Sequence, residues 1–262
     1  MGRFIHTYPY LMLSLTLLGV LLAALAATPR RLRSTTLLGA ALAAPFALTS
    51  PLVVPSYWNP TRVAVFVAGP EDVVFSSASA SLAWLASVWW LRRRLTFEPR
   101  VDRIWWRYLA GACCGLAVGD STWRLGAGPI TATILAFGVL TALILWRRPG
   151  IWPLALAGPL GYALVYAAAL KAWHLVVPSF GAQWNSEALW GPTLLGVPLD
   201  EVVWAAAFGL AWPVFAAYLF DARLEPAPTT NRRGASALSR FHRARRRGAA
   251  PGRRGTAAAR AG

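Results

Sequence analysis

Leu52-Val53-Val54-Pro55-Ser56-Tyr57 returns later in the chain as Leu175-Val176-Val177-Pro178-Ser179-Phe180. Trp58-Asn59 returns as Trp184-Asn185, and Glu71-Asp72-Val73-Val74-Phe75 as Asp200-Glu201-Val202-Val203-Trp204. The last correspondence persists to Arg94-Leu95 and Arg223-Leu224. One such block arises easily by chance in apolar sequence. Three in the same order, one Pro-Ser-aromatic and one Trp-Asn, do not. The chain reads as two related halves, each with two helices, an outer loop opening on Pro-Ser-aromatic, and a helix opening on two acids.

Around these blocks the sequence is a series of apolar runs. Seven of them, near 8–27, 36–54, 68–91, 104–119, 129–146, 151–173 and 198–220, approach the roughly 20 helical residues needed to cross a bilayer. Of the 262 residues 56% are hydrophobic and 14% charged, with a mean hydropathy of +0.47; soluble domains carry about 25% charged residues. This excludes a large soluble domain and predicts an all-α, polytopic integral membrane protein with seven transmembrane helices. The adjacent Cys113 and Cys114 form neither a disulfide framework nor a metal-ligand spacing, and their apolar surroundings predict core packing.

Arginines fix an expected topology. Arg30, Arg31 and Arg33 follow the first run, Arg92 to Arg94, Arg100, Arg103 and Arg107 the third, and Arg147 and Arg148 the fifth. Only Arg3, Arg62, Arg124 and Lys171 fall on the other side. The positive-inside rule then places the N-terminus outside and the C-terminus in the cytoplasm of a multi-pass cell (inner) membrane protein. The first run, with a weakly charged start and three arginines behind it, reads as a retained helix. Much of the net charge of +16 sits beyond Pro226, where there are ten arginines and no acid. That tail cannot bury a core, reads as disordered and cytoplasmic, and gives no indication of a nucleic-acid partner. Expected boundaries are a first three-helix repeat, 1–95; a linking helix with its loops, 96–128; a second three-helix repeat, 129–225; and the basic tail, 226–262. The extra crossing between halves gives both repeats the same orientation, with a site between them.

Pro70 and Pro198 precede the acid pairs, and proline is favoured at the first position of a helix. Glu71, Asp72, Asp200 and Glu201 are thus expected in first turns near the outer edge of the hydrocarbon. A helix dipole favours such acids by only about 0.3–1 kcal/mol, whereas an Asp at mid-membrane costs about 2.5–3.5 kcal/mol, and less near the interface. Capping explains one acid more readily than two adjacent acids in both halves, so all four are candidate catalytic residues. Spacings of four, eight and fifteen from Asp200 reach Trp204, Phe208 and Phe215, and Glu71 heads Phe75, Ala78 and Leu82. This spacing predicts that Glu71 and Asp200 face an aromatic cavity while Asp72 heads Ser76 and Ser79. Phe75, Trp204, Phe208 and Phe215, with Trp58, Asn59, Trp184 and Asn185 of the outer loops, are candidate substrate-binding residues; ordinary helix packing and interfacial anchoring are the plainer explanations for them.

A protonated carboxyl in a dry site can donate a proton, aromatic faces stabilise a cation, and a second carboxylate can take a proton back. Together these suit acid-initiated cyclisation of a polyene. The residues resemble the small membrane lycopene cyclases, which occur as two subunits or as a fused chain and are distinct from the larger flavin-binding cyclases. The family pattern is a Pro-x-Glu-Glu/Asp stretch opening an apolar, aromatic helix. It is matched by Pro198-Leu199-Asp200-Glu201-Val202-Val203-Trp204 and, with Gly69 at the leading proline, by Gly69-Pro70-Glu71-Asp72-Val73-Val74-Phe75. The resemblance covers most of residues 8–224 and implies protonation of linear lycopene ends, closure and deprotonation to β-type rings. That is an isomerisation within carotenoid biosynthesis that needs no cofactor and no metal. It implies an apolar carotenoid substrate, a lipid bilayer environment and other enzymes of the carotenoid pathway as partners. The alternative is a non-catalytic carotenoid or isoprenoid-lipid binder or transporter. A retinal-binding pump is excluded because Lys171, the sole lysine, lies at the end of its helix, and a membrane prenyltransferase because Asp72 and Asp120 are isolated.

Overall fold

The computed structural model describes residues 2–64 and 67–225, and the basic tail lies outside the described residues. The described chain is mostly helical. A short α1 (Gly2–Thr7) leads into α2 (Pro9–Ala27), α3 (Arg30–Ala43) with a 3₁₀ continuation (Ala44–Leu52), α4 (Pro70–Val88), α5 (Val101–Arg124), α6 (Pro129–Arg147), α7 (Leu154–Val176) and α8 (Leu199–Leu219). Four two-residue strands, β1 (Leu95–Thr96), β2 (Thr193–Leu194), β3 (Val197–Pro198) and β4 (Arg223–Leu224), decorate the ends. The second apolar run changes character midway. Pro45 cannot donate a backbone hydrogen bond and its ring crowds the preceding turn, and the segment leaves α-geometry there for a 3₁₀ turn.

Among the described residues, five helices are long and apolar enough to cross a membrane: Pro9–Ala27, Arg30–Leu52, Pro129–Arg147, Pro149–Val176 and Leu199–Leu219. Two others fall short on composition for different reasons. α4 carries Glu71, Asp72 and five serines, but Ser79, Ser81 and Ser87 are buried inside the protein. α5 carries Asp102, Arg103 and Arg107 at one end and Asp120 and Arg124 at the other. The outward faces of α2 and α7 expose Leu22, Leu160 and Leu164, an apolar surface suited to lipid. Cys113 is exposed and Cys114 half-buried, both free, so they lie outside the core that their apolar run suggested.

α4 and α8 form the centre. α4 packs on α2, α3, α7 and α8, and α8 on α4 to α7. Small residues allow these close approaches. A Cβ on Gly209 would stand 2.6 Å from the Gly158 carbonyl oxygen, so α7 and α8 meet backbone to backbone. Ser87 Oγ donates to the Leu154 carbonyl at 3.2 Å, tying α4 to α7.

At both ends of the bundle, residues aligned in the sequence pair with each other. Trp58 and Trp184 form an antiparallel bridge and stack at 5.5 Å, flanked by Asn59 N–H to the Gln183 carbonyl and Asn185 N–H to the Tyr57 carbonyl. At the other end β1 pairs antiparallel with β4, with Leu95 opposite Leu224. Beside that second pairing, the buried Asp221 accepts from Arg148 at 2.6 Å and Arg107 at 3.0 Å, with Arg103 at 3.7 Å. Burial alone would raise the Asp221 carboxyl. Hydrogen bonds from Arg148 and Arg107, and their charges, outweigh it and hold the group below its ordinary range.

A depressed carboxyl contributes stability above its unfolded value, near 3.9, and loses it as pH falls through the folded value. Asp221→Asn is expected to lower stability at neutral pH by about 1–3 kcal/mol, the typical loss for a charged hydrogen-bonded group, and to flatten the loss seen in the wild type below about pH 4. Asn tolerates the positive φ of 49° at this position as Asp does, so the substitution isolates the charge. Thermal unfolding in detergent at neutral and acid pH measures both effects.

Candidate functional site

Each acid pair occupies the second and third positions of its helix. In α4 these follow Pro70 at the first position and Gly69 at the N-cap. In α8 they follow Leu199, and Pro198 is the N-cap instead of the first helical residue expected for it. All four side chains are buried: Glu71 0%, Asp200 1%, Asp72 and Glu201 5% exposed.

Asp72 performs two tasks at once. Its Oδ2 accepts the Gly69 N–H at 2.7 Å, capping α4. Its Oδ1 accepts from Tyr10 Oη at 2.9 Å and Ser50 Oγ at 3.2 Å, and the Arg62 guanidinium lies 3.5 Å away while also bonding Ser50. Glu201 has three neutral donors: Tyr57 Oη and Trp184 Nε1 to Oε1, each at 2.9 Å, and Tyr166 Oη to Oε2 at 2.7 Å. Burial raises the Tyr57 phenol far above its ordinary value, with Glu201 and Asp200 adding to the effect, so it stays a donor. Aligned across the repeat, the two carboxylates are chemically unlike: one has a cation beside it, the other a ring of uncharged donors.

Both carboxylates line one cavity of about 420 Å³, within the range of small-molecule sites. Its α8 wall continues Glu201, Trp204, Phe208, Trp212 and Phe215, and Phe75 stacks on Trp204 at 6.0 Å. Trp204, Phe208 and Trp212 form a parallel ladder at 5.4 and 6.3 Å. Trp58 also lines the cavity.

The face reading needs correction. Asp72 and Glu201 line the cavity, and Glu71 and Asp200 do not. With about 100° per residue, steps of eight and fifteen drift Phe208 and Phe215 about 80° and 60° from Asp200. Steps of seven, eleven and fourteen keep Phe208, Trp212 and Phe215 within about 40° of Glu201. Glu71 instead folds back over Gly69 and accepts the Val63 N–H at 3.1 Å. A Cβ at position 69 would meet its Oε1 at 2.6 Å, so Gly69, where the family pattern has proline, and this position of Glu71 go together. Asp200 Oδ1 accepts the Glu201 N–H at 3.2 Å.

Asn59, Trp184 and Asn185 are not cavity-lining. Trp184 acts through Glu201. Asn59 and Asn185 are exposed and hold the loop pairing; Asn185 Nδ2 donates to the Ser56 carbonyl at 3.0 Å. Asp120 lines the cavity rim and pairs with Arg124 at 2.7 Å. His174 stacks on Trp184 at 5.8 Å and bonds its own helix at Leu170. Residues not foreseen include Tyr10, Ser50, Tyr57, Arg62 and Tyr166. Three of them carried a signal: Tyr10 and Tyr166, in apolar spans, need a partner for the hydroxyl, and Arg62 is the one arginine of its outer loop.

Fold and site define a helical membrane protein with two buried carboxylates walling an aromatic cavity. Residues 129–219 match the model of the lycopene cyclase family. The match spans less than half of the chain and makes that segment similar to lycopene cyclases, which supports a role in carotenoid cyclisation in general. No curated protein and no solved structure matches the chain.

Proposed function

We propose that the protein is a lycopene cyclase-like isomerase that closes linear lycopene ends to β-type rings by acid–base chemistry, with Asp72 and Glu201 as its catalytic pair. The observation that carries this reading is a pair of buried carboxylates, one from each half, in the wall of one aromatic cavity. One carboxyl protonates the terminal double bond and the resulting cation is attacked by the next double bond. The rings of Phe75, Trp204, Phe208 and Phe215 stabilise that cation by their faces, and the other carboxylate removes a proton to end the reaction. Atoms balance without an oxidant or reductant. Glu71 and Asp200 are positioning residues, holding the loop at Val63 and the first turn of α8.

The same reading takes α2 to α8 as seven spans: two three-helix repeats in one orientation, with α5 as the linking helix. Pairing of aligned residues at both ends supports it, as two copies related by a two-fold axis along the bundle would meet this way. The arginine-rich end faces the cytoplasm, which puts the carboxylates near the outer leaflet. Expression in a lycopene-accumulating host tests the function directly: ring-bearing carotenoids are expected by pigment chromatography. Unchanged lycopene with the protein present in the membrane overturns it in favour of binding or transport.

Tyr57 is Phe180 in the aligned block, so Tyr57→Phe makes the halves alike. It removes one of three donors to Glu201 and is expected to slow ring formation about 10-fold or more, from about 1.5–3 kcal/mol for a hydrogen bond to a charged group. Initial rates in membranes check this against an unchanged protein level.

A further inference from the structure

We infer that the cavity opens sideways into the bilayer between the 3₁₀ turn Ala44–Leu52 and α5, and that Gly115 and Gly119 of α5 form the track on which the unreacted length of the polyene lies. This rests on the polyene-cyclase reading and assigns the substrate's path.

The cavity has walls from both segments, including Ala47 and Ser50 on one side and Gly115 and Gly119 on the other. α5 packs on α6 and α8. Three apolar residues line the cavity and are yet strongly exposed: Leu52 at 43%, Leu116 at 49% and Trp123 at 43%. Residues that belong to both the inner wall and the outer surface mark an opening, and these are apolar as a passage to lipid requires. Toward the arginine-rich end the Phe46 and Tyr108 rings meet at 5.7 Å and close the gap. The opening therefore lies alongside the carboxylates.

Size gives an independent reason. A cavity of about 420 Å³ is at the small end for even drug-sized ligands. It accepts the reacting end of a long polyene but not the whole molecule, and the remainder must leave through the wall.

The glycines fit a track and not a helix contact. A Cβ on Gly115 or Gly119 meets nothing within 4 Å, whereas one on Gly111, a turn away, runs into the Phe215 ring. Interior helical glycines cost about 1 kcal/mol relative to alanine, and nothing packs here to offset that. What the missing side chains leave is room along the wall.

The test uses Gly115→Phe and Gly119→Phe in the full chain. Both are expected to keep a wild-type or higher unfolding temperature, since the added Cβ meets nothing within 4 Å and the ring turns into the cavity or its opening. Both are expected to lose at least 10-fold in lycopene cyclisation, and to lose the carotenoid, lycopene or its ring-bearing product, that co-purifies with the wild type, read by visible absorption. Folded variants that cyclise and retain lycopene as the wild type does would overturn the track, as would Gly119→Phe unfolding the protein. A wild type that retains lycopene without cyclising it, while the variants retain none, would sink the cyclase reading and leave the lateral path standing. A wild type that retains no carotenoid, neither substrate nor product, would overturn the path.

Discussion

Glu201→Gln and Asp72→Asn each abolish ring formation in a lycopene-accumulating host, with product falling at least 100-fold while the protein still reaches the membrane. The size follows from general acid–base catalysis, which contributes roughly 10²–10⁴-fold per group. The amides keep shape and several hydrogen bonds: the glutamine oxygen can still accept from Tyr57 and Trp184, and the asparagine oxygen from Tyr10. What they lose is the ability to give or take a proton. Glu71→Gln and Asp200→Asn lose less, because neither side chain lines the cavity; their effect passes through the Val63 loop and the first turn of α8. Equal loss at all four positions would refute this division. Full product from Glu201→Gln would refute the catalytic assignment itself. Pigment chromatography with immunodetection of the membrane fraction decides both.

The second large effect is structural. Gly209→Ala lowers the unfolding temperature by about 5–10 °C, and Gly158→Val leaves little folded protein. Alanine is the better helix former by about 1 kcal/mol, so the sign is set by packing. A Cβ on Gly209 meets the Gly158 carbonyl oxygen at 2.6 Å and Tyr162 Cβ at 3.1 Å, and one on Gly158 runs into the Gly209 carbonyl and Ser87 Oγ. The first obstacle is backbone, so the helices must part. Overpacking costs about 1–3 kcal/mol, which at this chain length is about 2–4 °C per kcal/mol. The damage also reaches the site, since α7 supplies Tyr166 and α8 supplies Glu201. Gly115→Ala, where the added atom meets nothing, is the matched control and is expected to be neutral or stabilising by thermal unfolding.

Much of this arrangement was written in the sequence. Helix positions followed from apolar run length and the first-turn placement of the acids from the prolines; the alignment of Trp58 with Trp184 was legible, their stacking against each other was not. The choice of face was not legible, because adjacent acids both fall within helical reach of Trp204 and small angular drifts decide between them. Nor were the partners. Tyr10 meets Asp72 across 62 positions and Tyr57 meets Glu201 across 144, and no local pattern encodes contacts so distant. Composition alone would leave out α4, which the run near 68–91 had placed among the spans. Its serines lower its hydropathy, yet they point into the protein, where Ser87 reaches the Leu154 carbonyl.

The contacts of Trp58 with Trp184 and of Leu95 with Leu224 set like against like. An interface of this kind is self-complementary, as in symmetric dimers, where one patch serves both partners. On the proposed two-repeat reading, each half presents to the other the same surface that it receives. What makes the joined form different is division of labour. With two such repeats in one chain, as proposed, a hydroxyl can be kept at Tyr57 and omitted at Phe180, and the two carboxylates are free to become unlike.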